Sequence, residues 1–270
     1  MRLDQLLVER GLAGSRARAQ ALLLAGRVSV GPAAPDTAAH PRAHARPGDL
    51  VDPALPLTLA EGPLYVSRGG EKLAAAVDTF RVDDPAVDPA GRVCLDVGAS
   101  TGGFTDVLLR RGARRVYALD VGRGQLAQVL RADPRVVVLE GVNARHLAGQ
   151  GVAATPDGRV AIIPEPVTLA TIDVSFISLE KVLAPVAATF GPAAGGRIVA
   201  LVKPQFEAGR AETRRGVVRD PAVHRRVIER IREHAAEIGL VVRGEVASPL
   251  LGPAGNREFF LDLEVPPRPA

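Results

Sequence analysis

The chain has no tryptophan, and aromatic residues make up only 3% of it. Packing must therefore come from Leu, Val and Ala, and a hydrophobic content of 47% is enough for a sizeable core. Cysteine occurs once, at Cys94, in an apolar run that reads as a strand. A single cysteine excludes an intrachain disulfide framework and a Cys-based metal site, and it fits a reducing compartment. The histidines (His40, His44, His146, His224 and His234) show no metal-ligand spacing, so no metal is expected. No run of about 18 uncharged apolar residues occurs, and the start Met1-Arg2-Leu3-Asp4 has no apolar signal core. The expectation is a cytoplasmic chain with no membrane partner and no obligatory protein partner.

Lysine is nearly absent as well. Of 34 basic residues only Lys72, Lys181 and Lys203 are lysines, and the rest are arginines. Arginine serves wherever any cation suffices, so the surviving lysines are candidates for giving up a proton, which arginine cannot do. The net charge of +4 leans modestly towards an anionic partner. A length of 270 residues suits one small module plus one full-size domain.

Residues 3–10 carry apolar side chains at helical spacing and end at Gly11, and Ser15 would cap a second helix running to Ala25. Arg27–Gly31 alternates as a strand, 32–47 reads as a Pro- and His-rich loop, and Gly48–Val51 as a short strand. Pro53, Pro56 and Pro63 mark a linker over 53–64, which divides the chain into domains 1–60 and 61–270. Beyond it, a helix carrying Lys72 and Phe80 precedes strands at 92–97, 115–120, 135–139, 167–173 and 197–202. These alternate with helices at 103–111, 123–131, 178–190 and 221–238, and strands 240–247 and 257–264 follow without a helix between them. This rhythm predicts an α/β, Rossmann-like, mostly parallel sheet with an antiparallel edge, preceded by a small α+β module.

The first strand ends in Asp96-Val97-Gly98-Ala99-Ser100-Thr101-Gly102-Gly103-Phe104-Thr105. Glycines there allow close ligand approach, at the sheet edge where α/β folds bind ligands. The spacing is neither the dinucleotide fingerprint nor a Walker loop. Asp96 suits a ligand amine and Asp120, ending the next strand, suits ribose hydroxyls. Together these features favour S-adenosylmethionine, with Asp96, Gly98, Ala99, Ser100, Gly102, Gly103, Phe104 and Asp120 as candidate contacts. Close helix–sheet packing is the competing explanation for Gly102 and Gly103. Methyl transfer to a ribose hydroxyl further needs a poised base. Lys203 and Asp173 end strands at the same edge, Lys72 lies on the entering helix and Glu258 lies in the last strand. A surface or capping charge is the competing explanation for each, and Lys181 stays with it.

Five motifs resemble the TlyA family: 65–73 (YVSRGGEKL), 96–105 (DVGASTGGFT), 172–179 (IDVSFISL), 201–207 (LVKPQFE) and 252–259 (GPAGNREF). Residues 2–51 resemble an S4 RNA-binding domain, and the remainder an FtsJ-like methyltransferase domain. The resemblance implies 2′-O-methylation of cytidine in ribosomal RNA, with S-adenosylmethionine as methyl donor and a ribosomal subunit as partner. It implies a Lys-Asp-Lys-Glu tetrad, carried here by Lys72, Asp173, Lys203 and Glu258. In it Lys203 is the base, Lys72 lowers its proton affinity, Asp173 orients it and Glu258 holds Lys72 or the ribose. Arg2, Arg16, Arg18, Arg27 and Arg68 are the expected RNA contacts. The S4 hairpin departs from the family pattern: Val30 leads to Gly31-Pro32 instead of an Asn-Gly turn. Because the chain begins at the S4 module and ends soon after Glu258, it resembles the shorter family members, which act on the large subunit alone.

Three rivals stand beside this reading, one of them a dehydrogenase, which failure to bind NAD would remove. A non-catalytic ribosome-binding factor would need only the S4 module. Family members are also labelled haemolysin, but a pore-former needs a span or a strongly amphipathic apolar face, and the sequence has neither.

Overall fold

The computed structural model describes residues 1–13, 16, 19, 22–23, 28–31, 48–59, 65–147, 152–154, 160–209, 212–213, 216–252 and 254–267. Contacts divide the chain into two units, Met1–Leu64 and Tyr65–Ala270.

In the first unit, helix α1 (Leu3–Glu9) buries Leu3, Leu6 and Leu7, and Gly11 closes it at a left-handed φ of +70°. Leu3 and Leu7 meet Ala13, Ala19, Leu22, Leu23 and Val28 in one small core. Residues 16, 19, 22 and 23 of the second expected helix are helical, while its Ser15 cap and the 32–47 loop lie outside the described residues. Strand β1 (Val28–Val30) pairs antiparallel with β2 (Leu57–Leu59). This corrects the sequence reading, which assigns 57–59 to the linker. Pro53 and Pro56 precede the strand without interrupting it. The segment expected as a strand at 48–51 contributes only an isolated bridge from Leu50 to Arg2.

The second unit opens with α2 (Arg68–Asp83) and β3 (Val93–Val97). Then come α3 (Gly103–Arg110), β4 (Arg115–Asp120), α4 (Gln128–Arg131) and β5 (Val136–Glu140). A hairpin of β6 (Val152–Ala154) and β7 (Val160–Ile162) follows, then β8 (Leu169–Ile172) and α5 (Leu183–Ala187). The unit ends with β9 (Gly196–Val202), α6 (Pro204–Glu207), α7 (Pro221–Glu237), β10 (Val241–Ala247) and β11 (Phe259–Val265). The main sheet runs β10-β11-β9-β8-β3-β4-β5, with β5 through β9 parallel and β11 antiparallel to both neighbours. The antiparallel strand thus lies one place in from the edge.

β3 is buried along its whole length, as a central parallel strand covered on both faces must be. Its side chains alternate. Val93, Leu95 and Val97 join a core with Leu183, Val186, Val227 and Ile231 of α5 and α7. Cys94 faces Leu73, Val77, Val107 and Leu108 of α2 and α3. Two expected helices are shorter than the pattern predicts. The 123–131 helix is reduced to α4 because Gly122 N–H donates to Asp120 and Gly124 N–H to Glu140, holding 121–127 in turns. The 178–190 helix breaks into a 3₁₀ turn at Leu179–Lys181, capped by Ser178, and then α5.

One buried ion cluster ties three elements together. The Arg197 guanidinium on β9 pairs with Asp262 on β11 and with Asp84 at the end of α2. Burial pushes the Asp262 carboxyl up from its ordinary range even against this cation. Arg197→Met would leave Asp262 buried without its partner. The expected result is a loss of roughly 3–5 kcal/mol in unfolding free energy, read from denaturant midpoints. A loss below about 0.5 kcal/mol would mean the cluster is solvated.

Candidate functional site

Strand β3 stands where the sheet changes direction. The chain leaves it for β4 and β5 on one side and returns to β8 and β9 on the other. Connections at the carboxyl ends therefore diverge and leave a crevice. A cavity of about 600 Å³ occupies it. Its wall includes Gly98 and Ser100 after β3, Asp120 at the end of β4 and Val121 after it, Asn143 and Arg145 after β5, and Asp173 to Ile177 after β8.

Gly98 makes the crevice possible. Its φ is +84°, and a Cβ there would lie 2.3 Å from the Asp173 carbonyl oxygen. Its own N–H and that of Ala99 donate to Leu119 O, which locks the loop to β4. Ser100, at a φ of +48°, donates its N–H to Asp120 Oδ2 at 2.8 Å, and Gly122 N–H reaches Asp120 Oδ1 at 2.7 Å. The Asp120 carboxylate is thereby fixed at the cavity wall with lone pairs to spare for incoming hydroxyls.

The other candidate cofactor residues do not line the cavity. Asp96 is fully buried and accepts hydrogen bonds from Thr105 Oγ1 (2.6 Å) and Thr171 Oγ1 (3.1 Å). It thereby joins β3, α3 and β8. Ala99 is buried, and Gly102 is covered by Leu126 and Leu130. A Cβ on Gly103 would strike Ser67 Oγ at 2.2 Å and Gly70 N at 2.9 Å. Phe104 packs on Phe260 in the core, with ring centroids 6.1 Å apart. At these positions the glycines serve close packing: Gly103 lets α3 approach α2, and Gly102 fits beneath Leu126 and Leu130.

Lys203 and Glu258 come together through strand register. Val202, the last residue of β9, pairs with Phe259, the first of β11. Lys203 therefore follows, and Glu258 precedes, one cross-strand pair. Two ion pairs result. Lys203 Nζ lies 2.5 Å from Asp173 Oδ1 and donates to Ser175 Oγ at 2.9 Å. Lys72 Nζ, from α2, donates to Glu258 Oε2 at 2.6 Å, and both side chains are buried. Asp173 and Ser175 line the cavity, and Lys203 is bound to both of them from outside its lining. Beside it Phe176 is 88% exposed at a φ of +63°, with its ring 4.8 Å from that of Phe206. Glu207 fixes the same loop, accepting from Leu179 N–H and Ser178 Oγ, while burial raises its carboxyl above the ordinary range.

Ser175, Phe176, Gln125, Asn143, Arg145 and Lys181 line the cavity without having been singled out as site residues from the sequence. For Lys181 the scarcity of lysine was the available signal. Among the candidate RNA contacts, Arg2 Nε (3.1 Å) and Arg16 Nε (2.9 Å) both hold the buried Asp4 carboxylate. Their outer guanidinium faces are half-exposed. Arg68 donates to Leu251 O at 3.1 Å. Arg18 and Arg27 lie outside the described residues. Among the described residues, no group of three or more His, Cys, Asp or Glu side chains could hold a metal, and no helix is long and apolar enough to cross a membrane.

The doubly wound sheet with its inserted antiparallel strand, and the cavity at its switch point, define a methyltransferase-class fold. The FtsJ-like methyltransferase family model matches residues 65–264, and the S4 domain model matches residues 1–32. The 16S/23S rRNA (cytidine-2′-O)-methyltransferase TlyA of Mycobacterium tuberculosis is 44% identical over 267 residues, covering 97% of this chain and 89% of its own. Hemolysin A of Brachyspira hyodysenteriae is 35% identical, covering 96% and 98%. A solved structure described as a hemolysin from Streptococcus thermophilus superposes with a TM-score of 0.70 at 38% identity, covering 100% of this chain and 90% of that one. The chain belongs to the TlyA family, which joins an S4 domain to an FtsJ-like methyltransferase domain.

Asp96 offers a test independent of ligand. Burial lifts its carboxyl from 3.8 in the reference state to about 7 in the fold. Between these values the folded state binds a proton that the unfolded state does not. The stability that Asp96 contributes is therefore fully present below its reference value and is lost as pH rises towards 7, by up to about 1.4 kcal/mol per unit. Asp96→Asn is expected to flatten that slope in denaturant midpoints between pH 4 and 7.5. An unchanged slope would contradict the assignment.

Proposed function

We propose that this chain transfers a methyl group from S-adenosylmethionine to the 2′-hydroxyl of a cytidine ribose in ribosomal RNA. The observation that carries the reading is Lys203 paired to Asp173, which lines a nucleoside-sized cavity, with the Lys72–Glu258 pair reached through the neighbouring strand end. The cavity fits the methyl donor. Asp120 offers a fixed carboxylate for ribose hydroxyls, Gly98 and Ser100 supply a backbone wall, and Val121 supplies an apolar face. S-adenosylmethionine, when bound, supplies an electrophilic methyl group on a sulfonium.

The rest is the work of the chain. Lys203 Nζ, in its neutral form, takes the proton of the 2′-hydroxyl as the new oxygen–carbon bond forms and the methyl carbon–sulfur bond breaks, the electron pair staying on sulfur in a departing thioether. Asp173 and Ser175 hold that amine in place. Lys72, tied to Glu258, sets a fixed cation in the same network. Phe176 presents an exposed ring braced by Phe206, a surface on which an unstacked base can lie. Arg2, Arg16, Arg18, Arg27 and Arg68 are the proposed phosphate contacts, Arg2 and Arg16 being aimed by Asp4. A ribosomal substrate implies a cytoplasmic site of action.

The test is transfer from labelled S-adenosylmethionine to separated ribosomal subunits that lack the modification. Wild-type protein is expected to label rRNA in one or both subunits. Lys203→Ala is expected to lower the rate by roughly 10²–10⁴-fold while binding the methyl donor normally. Lys203→Arg should not rescue it, since a guanidinium keeps its protons. Equal rates for Lys203→Ala and wild type would remove Lys203 as the base. No label on subunits, intact ribosomes or naked rRNA would favour a non-catalytic binding factor.

A further inference from the structure

Gln205 lies on α6, two residues after Lys203, outside the four residues of the tetrad. Its Nε2 donates to Glu258 Oε1 at 3.2 Å, while Glu258 Oε2 accepts from Lys72 at 2.6 Å. Each oxygen of this buried carboxylate therefore has its own donor. The Oε1 side is closed by Gly252, where a Cβ would stand 2.3 Å from that oxygen. The carboxylate is wedged between a glycine, an amide and an ammonium.

The amide makes this bond at a cost. Gln205 Oε1 is buried with no donor among the described residues. Such an acceptor is unfavourable, and side-chain amides ordinarily turn over to avoid it. Here turning over would set the amide oxygen against Glu258 Oε1, two acceptors face to face. The orientation is thus dictated by the carboxylate. In return the carboxylate is held in one rotamer, and with it the ammonium of Lys72.

We propose that Gln205 is a positioning residue for this reaction: it donates to Glu258 and so keeps that carboxylate directed at Lys72. It touches neither of the reacting atoms. The inference rests on the methyltransferase reading, in which Lys72 sets the cation next to the base. It also joins the two ion pairs, because the segment that ends in the Gln205 amide begins at Lys203.

Isosteric and truncating substitutions separate this role from simple packing. Gln205→Glu keeps the shape but replaces a donor with a carboxylate facing a carboxylate. Gln205→Ala removes both. In the full chain, Gln205→Ala is expected to lower kcat about tenfold with an unchanged KM for S-adenosylmethionine. Gln205→Glu is expected to be at least as impaired. A residue that only packs would show the opposite order, with the isostere close to wild type, and that order would overturn the proposal.

A second readout needs no activity. The chain has only three lysines, so ¹⁵N-lysine labelling gives three ammonium signals, and Lys72→Arg identifies one of them. Both Gln205 variants are expected to shift and broaden the Lys72 signal and to leave Lys181 in place. An unmoved Lys72 signal in both would overturn the proposal. Failure of the wild-type protein to transfer methyl groups would remove the functional reading alone, and the spectrum would still decide whether Gln205 holds the ion pair.

Discussion

The crossing of two backbones at Gly98 is the constraint on which the site depends. The carbonyl of Asp173 occupies the space that a Cβ at position 98 would need. Because the gap is filled by backbone, β3 and β8 stay paired to their ends, and Asp173 N–H still reaches Val97 O at 2.8 Å. The Asp173 side chain is thereby delivered to the cavity wall at a fixed height, where it meets Lys203. A side chain at position 98 would have to displace that carbonyl, and the carboxylate with it. Cavity, loop and ion pair share this one contact, much as close packing elsewhere leaves little freedom to adjust.

A second constraint comes from the antiparallel strand. Had the sheet ended with parallel strands alone, the residue preceding the last strand would lie at the far edge. Inserting β11 antiparallel beside β9 turns its beginning towards the end of β9, so Glu258 and Lys203 become neighbours through the Val202–Phe259 pair. Buried charges brought together in this way require partners. Glu258 has Lys72 and Gln205, and Lys203 has Asp173 and Ser175. The same strand carries Asp262, which meets Arg197 at the opposite end.

The alternation of strands and helices was legible because parallel strands buried on both faces must read as apolar runs, and 93–97 does. The placement of Lys203 and Asp173 at one edge followed from the same pattern. Other features depend on contacts remote in sequence. The shortening of the 123–131 helix comes from the local hold of Asp120 on the Gly122 amide together with the capture of the Gly124 amide by Glu140 from the next strand, and periodicity within 123–131 encodes neither. Strand β2 was hidden by the prolines before it, which punctuate without breaking the pair with β1. Asp96 reads as ligand-facing from its place at a strand end, yet Thr105 and Thr171 satisfy it from inside the core. Phe176 and Gln205 draw their roles from a positive φ and an unpaired buried oxygen, neither visible in a run of letters.

The central claim is that Lys203, held by the cavity residues Asp173 and Ser175, directs a methyl group to a ribose oxygen. The most direct measurement is mass spectrometry of nucleosides released from rRNA after reaction with isotopically labelled S-adenosylmethionine. The account predicts label in 2′-O-methylcytidine. Label on a base, with none on ribose, would contradict it.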